Sequence, residues 1–200
     1  MTPPTPTPDR PLLLVSVGSD HHPFGRLIDW VDEYLSVRTA APPVRYVCQH
    51  GTSPAPRSAA AASAFVDHRE LQSWMGQASA TVVQGGPYSM IESMRNGRVP
   101  IAVPRRRALG ECVDDHQAAF CRFLADRDEI LLATSSDELF AVLDRVLDDP
   151  TAYAAPPWPY DEARAAAIRR FGSAVSGYRP RPRPRPGRWR RRPVVDQNGS

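Results

Sequence analysis

The residues of this 200-residue chain with chemistry to offer lie beside glycine turns. Gly85 and Gly86 follow the apolar run Val82-Val83 and precede Pro87, whose missing N–H is not needed in a first helical turn. Without Cβ atoms the two glycines let the backbone turn sharply and approach a ligand closely. The N–H groups of Tyr88, Ser89 and Met90 then point beyond the strand, and the Ser89 hydroxyl adds a donor. A helix start of this kind favours negative charge, so a diphosphate is the natural guest. Glu92, one turn later, can accept hydrogen bonds from a ribose diol. An ordinary strand-to-helix turn with a solvated glutamate accounts for the same residues.

Further along, Gly110-Glu111-Cys112-Val113-Asp114-Asp115-His116-Gln117 is a polar loop rich in hydroxyl-binding side chains. Near the start, Gly18-Ser19-Asp20 is followed by His21 and His22, on the side where a ligand would sit. An imidazole there is a candidate general base for an acceptor hydroxyl. The plainer alternative is a polar loop leading into the next helix. Cys48, Cys112 and Cys121 are odd in number and lack C-x-x-C spacing, which points to neither a disulfide framework nor a zinc site.

The elements that must position these residues alternate. Leu12-Leu13-Leu14-Val15-Ser16-Val17 predicts a buried strand, and Phe24, Leu27, Ile28, Val31, Tyr34 and Leu35 form one helical stripe. Val44–Gln49 predicts a second strand, Ala64-Phe65-Val66 a short third, Glu70–Gln77 a helix, and Ala80–Val83 a fourth strand. Val99–Arg105 holds another buried strand, and a helix is expected from Gln117 through Leu124. Glu129–Ala133 predicts a last strand, after which Ser135 or Ser136 caps a helix carrying Leu139, Val142, Leu143, Val146 and Leu147. Strands alternating with amphipathic helices at this interval call for an α/β fold, a Rossmann-like parallel sheet covered by helices on both faces.

Composition divides the chain into parts. Residues 1–10 are proline- and threonine-rich and read as a disordered tail, and residues 11–150 as the globular domain. Residues 151–171 are broken by proline before a stretch, 161–171, that can form a final helix; residues 172–200 read as a disordered, arginine- and proline-rich tail. Eight arginines and one aspartate put +7 into residues 176–200, which leaves −4 for the rest against a net charge of +3. A mildly acidic globular part argues against a nucleic-acid reader. Neither a signal-peptide pattern nor a bilayer-spanning apolar run is visible, so a cytoplasmic location is expected.

The ordered motifs Gly85-Gly86-Pro87-x-Ser89-x-x-Glu92, Gly97-x-x-Pro100-x-x-Val103-Pro104-Arg105 and Gly110-Glu111-x-Val113-Asp114-Asp115-His116-Gln117 resemble the donor-binding half of a glycosyltransferase family. The family includes the small catalytic subunit of the dolichol-linked N-acetylglucosamine transferase and bacterial exopolysaccharide counterparts. Val15–Ser19, Phe24–Val31 and Val47–Gly51 also fit, and the resemblance covers roughly residues 12–148. It implies the C-terminal half of a two-Rossmann-domain enzyme: an inverting transferase using a UDP-sugar donor, with no metal and no bound cofactor. By that resemblance Gly18, Ser19, Gly85, Gly86 and Ser89 hold the diphosphate, and Phe65 and Val66 meet uracil. Glu92 takes the ribose, Asp115 and Gln117 take sugar hydroxyls, and His116 lies beside the phosphate or orients Gln117. It further implies a membrane-anchored partner subunit that presents a lipid-linked or polysaccharide acceptor, and a place at the inner face of the membrane through that partner. Gln84 and Tyr88 stand where the family usually has His and often has Gly. Gln84 cannot carry a proton, so a catalytically impaired nucleotide-sugar-binding module is the alternative.

Overall fold

Six apolar runs form one parallel sheet in a computed structural model of the chain, which describes residues 10–38 and 43–156. The strands are β1 (Leu12–Ser16), β2 (Arg45–Gln49), β3 (Ala61–Ser63), β4 (Ala80–Gln84), β5 (Ile101–Val103) and β6 (Leu131–Leu132). Their order across the sheet is β3-β2-β1-β4-β5-β6, with every pairing parallel. The helices are α1 (Gly25–Val37), α2 (His68–Gln77), α3 (Pro87–Arg95), α4 (His116–Ala125) and α5 (Ser136–Asp148). Chain order reverses between β1 and β4, which opens a crevice beyond their carboxyl ends, the usual ligand position in doubly wound sheets. The α/β, Rossmann-like fold expected from the alternating pattern is the one observed.

Side chains alternate across the sheet as the strand period requires. Leu13 and Val15 of β1, Val82 of β4, and Ile101 and Val103 of β5 pack under α1 and α5, against Leu27, Ile28, Val31, Leu139 and Leu143. On the other face Leu12, Leu14 and Val47 meet Trp74, Met75 and Ala78 of α2 and the turn after it. Val83 and Ala102 meet Met90 of α3 and Cys121 of α4 on that same face. Each fully buried leucine, valine or isoleucine contributes about 1.5–3 kcal/mol. Burial on both faces explains why β1, β4 and β5 are apolar without alternation.

Several boundaries differ from the pattern reading, each for a local reason. The third strand is Ala61–Ser63, not Ala64–Val66, because pairing with Val47–Gln49 selects the register and three small side chains suffice there. Phe65 lies past the strand with its side chain exposed. Helix α2 starts at His68 because Asp67 caps it, its carboxylate accepting the Glu70 N–H at 2.8 Å. Helix α4 begins at His116, so Gln117 is in its first turn. Strand β6 is two residues, and Ser135 is the cap of α5, its hydroxyl accepting the Glu138 N–H at 3.2 Å. Residues 153–155 return to residues 97–99, with Val99 N–H donating to Tyr153 O and Ala155 N–H to Gly97 O. The expected tail over residues 1–10, apart from the exposed Arg10, the helix over 161–171 and the tail over 172–200 lie outside the described residues.

Candidate functional site at the β1–β4 crevice

Both glycine turns end at this crevice. The turn after β1 needs glycine, since Gly18 has φ +79°, a left-handed conformation that costs other residues energy. It is clamped by Gln49 at the end of β2. The Gln49 Oε1 accepts the Gly18 N–H at 3.2 Å and the Ser16 hydroxyl at 2.7 Å, while its Nε2 donates to Gly18 O at 2.8 Å and Ala64 O at 3.1 Å. The Gly18 amide is therefore spent within the protein, and Ser19 is the exposed residue of the turn. Gly51, at φ +57°, passes so close to Gly18 O that a Cβ there would stand 2.8 Å from it.

The turn after β4 works differently. Gly86 has an ordinary φ of −85° and caps α3, with Pro87 in the first turn. What fills the space above Gly86 is the side chain of Gln84, which a larger residue would have to displace. A Cβ on Gly86 would lie 2.6 Å from Gln84 Nε2, and one on Gly18 would lie 2.7 Å from the same atom. The Gln84 amide thus bridges the two turns. Gly85 gives its Cβ space to Cys121 Sγ, at 2.9 Å, and Gln117 Cβ, at 3.0 Å. Amide polarity follows from a backbone group. Arg105 N–H can only donate, and it reaches Gln117 Oε1 at 3.4 Å. Gln117 Nε2 then donates to Gln84 Oε1 at 3.1 Å, which leaves Gln84 Nε2 as a donor between the turns.

The histidine loop joins this cluster. Asp20 Oδ1 accepts the His22 N–H at 2.8 Å and lies 2.7 Å from His22 Nδ1. With Nδ1–H donated to the carboxylate, Nε2 carries the lone pair. The His22 side chain is 22% exposed, whereas His21 is 82% exposed and 3.5 Å from the same oxygen. Burial alone would raise the Asp20 carboxyl, but the His22 N–H and ring and the Arg105 charge together hold it below its ordinary value. Asp20, His21 and His22 also bring three ligand-type atoms within 4.8 Å of one another, a spacing a cation could use.

Arg105 is the residue that pattern reading missed. It closes the buried strand and the Val103-Pro104-Arg105 motif of the sequence, where it had no role of its own, and it is fully buried while Arg106 and Arg107 after it are exposed. Its guanidinium donates to Val17 O at 2.8 Å, His22 O at 2.7 Å and Glu111 O at 2.8 Å, and stacks 4.8 Å over the Phe24 ring. Burial pulls its pKa down against the fields of Asp20 and Glu111. Glu111 is itself held bidentately by Arg26, at 2.8 Å on both oxygens. One buried cation therefore ties the first glycine turn, the histidine loop and the loop before α4.

The remaining sequence candidates lie around this cluster. Ser89 is buried in the first turn of α3, and none of the described residues bonds its hydroxyl. Glu92 is buried as well, its carboxylate accepting from Gln72 Nε2 of α2 and from Arg95 at 2.8 Å. Tyr88, one turn before Glu92, is exposed and sits 2.9 Å through its hydroxyl from His68 Nδ1. Phe65 and Val66 follow β3, with Phe65 59% exposed. Asp115 accepts the Arg107 N–H at 3.2 Å, and the exposed His116 pairs with Asp114 at 2.8 Å. Gly18, Gly85, Gly86 and Gln117 thus meet around Gln84, Ser19 is the exposed residue after Gly18, and Arg105 ties the His22 carbonyl to the same turn, while Glu92 is turned into a contact between α2 and α3.

A separate groove of about 470 Å³ is lined by Asp29, Asp32, Glu33, Ser36, Arg57 and Ser58, between α1 and the loop before β3. Its three carboxylates make it a poor receptor for an anion. The β1–β4 crevice, with Arg105 beneath it and a helix N-terminus at its edge, suits one.

No protein-family model matches the sequence, and neither does any curated protein. Solved structures do. The glycotransferase of kitacinnamycin superposes with a TM-score of 0.54 at 19% identity, covering 87% of this chain and 42% of that one. CalG4, the calicheamicin glycosyltransferase, gives 0.54 at 16% identity, covering 86% and 46%. MurG of Acinetobacter baumannii gives 0.52 at 18% identity, covering 82% and 51%. The fold is therefore that of a glycosyltransferase half, as the motif resemblance implied, and the chain spans about half the length of each.

Proposed function

We propose that this chain is the donor-binding catalytic subunit of an inverting, UDP-sugar-dependent glycosyltransferase. In this proposal it works with a membrane-associated partner on a lipid-linked or polysaccharide acceptor. The observation that carries the proposal is the convergence of both glycine turns, Gln84, Gln117 and the Asp20–His22 pair on the crevice between β1 and β4. The diphosphate lies between Ser19 and the first turn of α3, uracil meets the Phe65-Val66 segment, and Gln117 and Asp115 face the sugar.

The acceptor oxygen attacks the anomeric carbon as the bond to the β-phosphate oxygen breaks, inverting that centre and releasing UDP. His22 Nε2 takes the acceptor proton, with Asp20 holding Nδ1–H and stabilising the imidazolium that forms. Charge developing on the leaving group is met by the N–H groups of α3, by Gln84 Nε2 and by the helix dipole. Exposed Val113, Phe120 and Phe123 on and beside α4 offer apolar side chains to the acceptor-binding half. The described residues include no helix long and apolar enough to cross a membrane; in this proposal the partner provides attachment at the inner face.

A second proposal, a nucleotide-sugar-binding module with little catalysis, is favoured by two features. Glu92 is engaged by Gln72 and Arg95, and Tyr88 is held at the start of α3 by His68. Transfer of radiolabelled sugar from UDP-sugars, with the partner co-expressed, separates the two. The enzyme predicts turnover that falls about 10²–10⁴-fold in His22→Gln, with UDP affinity unchanged. UDP binding without turnover selects the module.

A further inference from the structure

Arg105 has no carboxylate partner among the described residues. Its three hydrogen bonds go to neutral carbonyls, those of Val17, His22 and Glu111, and it forms no ion pair with a described residue. Its Nε is buried without an acceptor among them. The carboxylates nearby are committed elsewhere, Glu111 bidentately to Arg26 and Asp20 to the N–H and ring of His22. A fully buried guanidinium in that condition is costly, because burial removes hydration and no contacting anion replaces it. Such a charge persists where its field is used. Here it lies directly beneath the carbonyl that enters the first glycine turn and beneath the backbone of the general-base candidate.

We propose that Arg105 is the anion anchor of the crevice: its buried charge binds the diphosphate of the donor through the glycine turn, and its hydrogen bonds set the position of His22. This rests on the donor reading above. Arg105 touches neither nucleotide nor acceptor, so it is a positioning residue that acts by charge and by holding two loops. Its field is weakly screened, since low-dielectric protein rather than water separates it from the turn. Three arginines in succession then divide their labour, with Arg106 and Arg107 outside and Arg105 inside.

Charge and scaffold are separable by comparing ligands that differ only in phosphate. Calorimetry on the full chain with UDP and with uridine gives a preference ratio for the wild type, Arg105→Met, Arg105→Gln and Arg105→Lys. The wild type is expected to favour UDP. Arg105→Met is expected to lose at least about tenfold of that ratio, as expected for one weakly screened charge, while uridine affinity holds. Arg105→Lys, which keeps the charge but not the three-way hydrogen bonding, is expected to retain most of the ratio. Should Arg105→Met fail to fold, Arg105→Gln, with donors for the carbonyls but no charge, is read in its place. An unchanged UDP preference in a folded, neutral variant overturns the anchor and leaves the donor site standing. Equal loss in Arg105→Lys and Arg105→Met reduces the residue to a scaffold and overturns it too. A wild type that binds neither ligand overturns the donor reading together with the anchor.

Discussion

Asp20 and His22 are two residues apart, and the pair they form distinguishes His22 from His21. Adjacent histidines are equivalent in a sequence, but in the fold one ring is oriented by a carboxylate and the other is solvated. The same pair makes an acid-sensitive contribution to stability. Burial works to raise the Asp20 carboxyl, but the His22 N–H, the His22 ring and the Arg105 charge outweigh it, so the folded-state pKa is below the unfolded one. A depressed carboxylate stabilises the fold above its unfolded pKa, about 4, and the stabilisation disappears as pH falls through the folded value. Asp20→Asn is therefore expected to lower the urea midpoint at pH 7, and the gap from wild type is expected to close below about pH 4. A gap that persists unchanged into acid would show that Asp20 contributes through shape rather than charge. Arg105 stood in the sequence motif, but its buried role was illegible for a related reason. Nothing local separates it from Arg106, and only the packing of three loops onto Phe24 places one guanidinium inside.

Among the elements, β1, β4, β5, α1 and α5 were legible because each is long or strongly patterned, and burial on one or both faces fixes its period. Strand β3 was not, since Ala61-Ala62-Ser63 carries no apolar signal and owes its conformation to the β2 register. The more apolar Ala64-Phe65-Val66 attracted the assignment instead. The glycine turns were legible as turns but not in what fills them. Gly86 has a conformation open to any residue, and the Gln84 amide, not a ligand, occupies its missing Cβ space. Gly18 is subject to both constraints, a positive φ and a Cβ position 2.7 Å from Gln84 Nε2. Gly18→Ala is expected to cost at least about 1–2 kcal/mol from the left-handed backbone alone. It should also displace Gln84, so that UDP affinity falls by more than uridine affinity. Urea denaturation and calorimetry on the same sample check both parts, and an alanine variant as stable as the wild type contradicts the assignment.

As a whole molecule, the chain has a doubly wound sheet whose order reverses where its two glycine turns meet. The solved glycosyltransferases it superposes on are about twice its length. Val113, Phe120 and Phe123 are exposed on and beside α4, where the proposed function places the contact with an acceptor-binding half. The acidic groove between α1 and the loop before β3 is the competing cavity, with roughly 470 Å³ of space but the wrong sign of charge. A crystal structure of the chain with UDP decides between them. The diphosphate is expected between Ser19 and the first turn of α3, with an oxygen about 3 Å from Gln84 Nε2. Nucleotide bound in the groove of Asp29, Asp32 and Arg57, or a β1–β4 crevice left without it at saturating UDP, would contradict that placement.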